Sequence, residues 1–152
     1  EQEAVRVMTS LNRRAKETIQ NYTVHACTDV TGFGLLGHCS EMASASGAVL
    51  EIHVRDIAYI RGAKEYAQMG LIPGGAYRNQ RYAEDLLDPG DVEEVYVDLV
   101  SDPQTSGGLL LAVPEDEAGS LLKDLGNAGL GTEVSVVGRV AGCGARPAIR
   151  LR

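Results

Sequence analysis

Apolar residues at Ala4, Val5, Met8, Leu11, Ala15 and Ile19 recur at helical spacing, which predicts a helix over residues 3–20. Arg13, Arg14, Lys16 and Glu17 fall mostly on its other side, as a solvated face or a surface docked on another domain. The apolar, β-prone run Tyr22 to Cys27 predicts a strand over about Thr23–Cys27, and Leu36, Cys39 and Met42–Ala43 predict a helix from Phe33 to about Ala45, stopped by Gly47. Leu50, Ile52 and Val54 alternate with Glu51 and His53, so Val49–Val54 reads as a half-buried strand. Asp56 is placed to cap a helix running to Met69 with Ile57, Ile60, Ala63 and Ala67 inward, closed by Gly70.

Leu71–Pro89 is expected to be irregular, with a short helix in its polar part and a turn at Asp88-Pro89-Gly90. Val92–Val100 fits a strand or a short helix equally. Leu109–Val113 is the pattern of a buried strand, and Pro114 stands at a helix start where its missing N–H costs nothing. That helix runs to about Asn127, with Ala118, Leu121, Leu122 and Leu125 inward; Val134–Val140 and Ala148–Leu151 complete the strands. Helices and strands in this order predict an α+β fold.

Two loops break the apolar pattern. Thr28-Asp29-Val30-Thr31-Gly32-Phe33-Gly34 joins a predicted strand to a predicted helix, and Asp102-Pro103-Gln104-Thr105-Ser106-Gly107-Gly108 feeds another strand. A glycine turn at a helix start aims free N–H groups and the positive helix end at whatever lies in front. A carboxylate beside it can hold a hard cation that in turn holds phosphate oxygens. The bland alternatives are an Asx-turn or cap at Asp29, capping hydroxyls at Thr28 and Thr31, and a tight structural turn at the second loop.

Composition narrows the classes. The 152 residues suffice for one domain that buries about two-thirds of its unfolded surface. The net charge of −7 argues against a nucleic-acid partner, which needs a basic face, and no run approaches the roughly 20 apolar residues of a membrane span. Three cysteines without a Cys-x-x-Cys pair argue against a disulfide framework or structural zinc, and the reducing cytoplasm is the expected compartment. His25, His38, Cys27 and Cys39 match no usual zinc spacing, and read as buried cysteines with packed or capping histidines. The missing initiator Met and the opening inside a helical pattern suggest a piece of something longer.

Taken together, His25 through His38 and Asp102 through Leu110, with the weaker Gly70-Leu71-Ile72-Pro73-Gly74-Gly75 followed by Asn79, resemble the C-terminal domain of the selenophosphate synthetases (selenide, water dikinases). These enzymes are built like aminoimidazole ribonucleotide synthetase. The resemblance covers essentially the whole chain and implies a mixed, mostly antiparallel sheet flanked by helices. It also implies a magnesium- and ATP-dependent enzyme making selenophosphate, AMP and phosphate from ATP, selenide and water. Asp29 is then the expected magnesium ligand; Thr28, Thr31, Gly32, Gly34, Thr105, Ser106, Gly107 and Gly108 are the expected nucleotide-binding residues. The family's reactive Cys or selenocysteine and its Lys lie in an N-terminal domain, so no catalytic residue is expected in this chain, which alone should be inactive. That domain is the expected partner, in a full-length homodimer. Other ATP-dependent enzymes of this fold and a non-catalytic module of the same fold are the rival readings. The Asp102–Gly108 loop speaks against the former.

Overall fold

A computed structural model describes residues 2–144, 146 and 148–152. The predicted first helix is two: α1 (Gln2–Thr9) and α2 (Arg13–Ile19). Short hydroxyl side chains break it, because Thr9 Oγ1 and Ser10 Oγ donate back to the Val5 and Arg6 carbonyls at 2.8 and 2.7 Å. β1 (Ala26–Asp29) begins later than expected, so Thr28 and Asp29 belong to the strand. α3 (Gly34–Ser46) ends as predicted at a left-handed Gly47, and β2 (Ala48–Ile52) buries Leu50 and Ile52.

The helix expected from Asp56 to Met69 shrinks to a 3₁₀ turn over Val54–Asp56 and α4 (Ala63–Gln68). Tyr59 turns back to donate its hydroxyl to the Val54 carbonyl at 2.9 Å, and the helix starts only after the left-handed Gly62. The stretch after Gly70 holds a ten-residue helix, α5 (Gly74–Ala83), then β3 (Leu87–Asp88). The ambiguous segment is α6 (Glu94–Ser101). β4 (Leu109–Ala112) and α7 (Glu115–Asn127) fall where predicted, though β4 is half-buried rather than buried. β5 (Gly138–Cys143) starts late in the Val134–Val140 run and extends past it, and β6 is Ile149–Leu151.

The four-stranded sheet has the order β3-β6-β2-β5, with β2–β5 antiparallel and β2–β6 and β3–β6 parallel. A separate antiparallel ribbon pairs β1 with β4, in the register Thr28 to Leu110 and Asp29 to Leu109. Antiparallel ladders therefore hold the larger share of paired positions, within two sheets rather than one. The main core joins Leu36, Cys39 and Ala43 of α3 to Ile52, Val54, Ile149 and Leu151, with α4, α5 and α6 over it. A smaller core joins Ala15 of α2 to Leu121 and Leu125 of α7. β4 lies between them, Leu110 packing on the main core and Leu109, Leu111 and Val113 on the small one. Side chains alternate across a strand, so one short apolar run serves both cores.

Candidate functional site

The ladder between β1 and β4 runs on past the strands and brings the two motif loops together. Val30 N–H donates to Gly108 O at 2.9 Å, Gly107 N–H to Val30 O at 3.0 Å, and Gln104 N–H to Thr31 O at 3.1 Å. A Cβ on Gly107 would strike the Val30 carbonyl. A Cβ on Gly34, at φ +68°, would lie 2.8 Å from the carbonyl carbon of Ser101. Both glycines thus have structural work: they let two backbones touch.

Gly32 is different. It is exposed, its φ is ordinary, and a Cβ there would meet nothing within 4 Å. Packing gives no reason for glycine at this position, whereas close approach of a ligand to the backbone would. The Gly32 and Phe33 N–H groups, and the Thr105 and Ser106 hydroxyls, have no partner among the described residues. Ser106 sits in the left-handed region at φ 57°, a costly position for a side chain with a Cβ.

Asp29 closes β1, exposed, and its carboxylate has no hydrogen-bond or salt-bridge partner among the described residues. Its neighbour Thr28 faces the opposite side of the ribbon. There Thr28 lines a groove of about 260 Å³ with Cys27, His38, Glu41 and Met42, between β1 and α3. Asp29 does not line that groove. The groove carries little chemistry: the Cys27 thiol, exposed rather than buried as expected, is pushed upward first by partial burial and then by the Asp29 charge, so its reactive thiolate is disfavoured. Cys39 is buried as expected, and burial pushes its thiol up to about 12.

His38 is the packed histidine the sequence suggested, but it has a task. The backbone N–H of Thr31 donates to its Nε2 at 3.0 Å, so Nε2 must be the unprotonated nitrogen. Nδ1–H then donates to Glu41 Oε2 at 3.1 Å. A ring with both nitrogens so engaged anchors the turn and has no lone pair left for base catalysis. In the second loop the half-buried Asp102 accepts from Gln104 Nε2 at 2.6 Å. Burial raises its carboxyl above the usual range, only partly offset by that hydrogen bond.

A profile for the AIR synthase related protein, C-terminal domain, matches residues 1–146. This chain belongs to that family. Similar proteins include a selenide, water dikinase of Caldanaerobacter subterraneus subsp. tengcongensis, 50% identical over 137 residues, which is 90% of this chain and 40% of that protein. Selenide, water dikinase 2 of Peptoclostridium acidaminophilum is 45% identical over 141 residues, 92% of this chain and 40% of that protein. The selenide, water dikinase of Clostridium botulinum strain Eklund 17B is 42% identical over 148 residues, 97% of this chain and 42% of that protein. The chain thus spans about 40% of the length of these curated relatives.

As a member of this family the chain offers one free carboxylate at the turn, and among the described residues no three of His, Cys, Asp and Glu gather as a metal cage. A single hard oxygen donor suits a magnesium ion that takes its remaining ligands from phosphates and water. No described helix is long and apolar enough to cross a membrane.

Two features escaped the sequence reading. Phe33 stacks on Tyr82 of α5, ring centroids 5.7 Å apart, and meets His38 edge-on at 5.9 Å. Asn79 of α5 is buried, and its side-chain amide donates to both Gly32 O and Ser101 O. The available signal was Asn79 itself, a polar residue on the inward face of an otherwise alanine-lined helix, because a buried amide must find partners.

Proposed function

We propose that this chain is the C-terminal domain of a selenide, water dikinase, the ATP-dependent enzyme that converts ATP, selenide and water to selenophosphate, AMP and phosphate. The observation that carries this reading is the joined pair of loops, with an unpaired exposed Asp29 beside a glycine that no packing requires. The names of the relatives point the same way.

In this reading Asp29 holds a magnesium ion, and Gly32 lets the triphosphate come close to the Gly32 and Phe33 N–H groups. A bound magnesium ion neutralises phosphate charge and fixes phosphate geometry for phosphoryl transfer. The anion contacts fall to the turn amides and to the Thr105 and Ser106 hydroxyls. A preceding N-terminal domain supplies the nucleophile and the other carboxylates, and the whole enzyme works as a homodimer in the cytoplasm.

Calorimetric titration of Mg²⁺ and ATP into the chain tests this. Binding that is lost in Asp29→Asn, together with no AMP formed from ATP and selenide by the chain alone, is the expected result. Equal heats in the two proteins remove Asp29 from the metal site, and turnover by the chain alone overturns the division of labour.

A further inference from the structure

We propose that Asn79 is a positioning residue that aims the Phe33 N–H at a phosphate oxygen, and this rests on reading the turn as the magnesium–ATP site. Asn79 is 7% exposed, and both hydrogens of its Nδ2 are committed: to Gly32 O at 3.0 Å and to Ser101 O at 2.9 Å. Gly32 lies in the first motif loop and Ser101 ends α6 directly before the second, so a single amide fixes their spacing.

The consequence for a ligand follows from peptide geometry. In a trans peptide the C=O of one residue and the N–H of the next point in opposite directions. Drawing the Gly32 carbonyl inward to Asn79 therefore turns the Phe33 N–H outward, on the side where Gly32 and Phe33 are exposed. That N–H has no acceptor among the described residues. His38 holds the Val30–Thr31 peptide, two before that of Gly32–Phe33, by accepting from Thr31 N–H, so the turn is pinned from α3 and from α5. α5 is itself braced against the second loop, since a Cβ on Gly75 would lie 2.8 Å from Pro103 Cγ.

The role needs an amide of this length. Aspartate matches the shape but has no hydrogen to donate, and alanine leaves both carbonyls bare. Structural damage to α5 is a separate effect, reproduced by Gln80→Ala on the same helix, which removes the 2.8 Å hydrogen bond from Gln80 to Asp98 of α6 and leaves the turn untouched.

The test combines amide exchange, NMR and calorimetry on the full chain, with Mg²⁺ and either ATP or inorganic triphosphate as probes. In the wild type, both probes move the Phe33 amide resonance downfield. In Asn79→Asp and Asn79→Ala, exchange at Gly32–Leu36 accelerates while Leu50, Ile149 and Leu151 keep their protection, and affinity for both probes falls about tenfold, the worth of one hydrogen bond. Gln80→Ala gives neither change. A Phe33 resonance that does not move in the wild type overturns the proposal without any variant, as do variants with a loosened turn but unchanged affinity. Failure of the wild type to bind either probe instead removes the anion reading of the turn, and the proposal with it.

Discussion

Around the four-stranded sheet, Leu36, Val54, Ile149 and Leu151 keep 1% exposure or less; around the β1–β4 ribbon, Leu121, Leu125 and Ala15 keep 4 to 8%. The first region is a closed core with helices packed on a sheet. The second is a two-stranded ribbon, marginal by itself, held by two helices and a few side chains. The candidate site lies where they meet, on the ribbon's end and the start of α3. What fixes it there is the Phe33–Tyr82 stack together with polar contacts reaching out from the larger core: Asn79 to Gly32 and Ser101, and His38 to Thr31. A rigid core with a lightly held rim gives a binding turn its position without filling the space a ligand needs.

Core truncations should expose the difference most strongly. Leu36→Ala is expected to cost about 3–5 kcal/mol and Leu125→Ala about 2–3, because a sealed site cannot relax into its cavity as a half-open one can. Urea unfolding measures both, and equal costs would erase the distinction between the cores. At the seam, Gly34→Ala should cost about 2–4 kcal/mol, combining left-handed strain with overlap on Ser101. Gly32→Ala should leave stability within about 0.5 kcal/mol, as at any open surface position, while weakening Mg²⁺–ATP binding. A destabilising Gly32→Ala would make that glycine structural and remove its support for a ligand.

Thiol chemistry reads the same contrast from outside. Iodoacetamide should label the exposed Cys143 first, Cys27 more slowly because burial and the Asp29 charge raise its thiol, and Cys39 only after unfolding. Labelling of Cys39 in the native chain would mean that the main core opens.

The smallest effect concerns Asp102. Its folded carboxyl titrates above the unfolded one, so the folded state binds the proton more tightly, and the penalty of ionisation is present at neutral pH and fades as pH falls through the carboxyl range. Asp102→Asn should therefore be slightly more stable than the wild type at pH 7, with the gap closing towards pH 4. A gap that widens in acid would contradict burial as the cause.

Much of this was legible in the sequence, and the exceptions have reasons. α3 and α7 followed from spacing, because each buries one clear stripe, as Leu36, Cys39 and Ala43 do, and β4 from its unbroken apolar run. The break at Thr9–Ser10 and the loss of helix before Gly62 depend on hydroxyls choosing nearby carbonyls, which periodicity does not register. Motif residues named the two loops but not their contact, since the bonds from Val30 and Thr31 to Gln104, Gly107 and Gly108 span over seventy residues of chain. β1 reaches Asp29, so Thr28 and Asp29 are neighbours on a strand, where successive side chains alternate, rather than loop residues.

The most direct test is to add Mn²⁺ and ATP to isotopically labelled chain and watch which amides broaden. Broadening centred on Asp29–Gly34 and Thr105–Ser106, absent in Asn-substituted Asp29 (Asp29→Asn) and sparing the groove around Glu41 and Met42, is the predicted result. Broadening centred on that groove, or unchanged by the substitution, would place the metal elsewhere and contradict the assignment of Asp29.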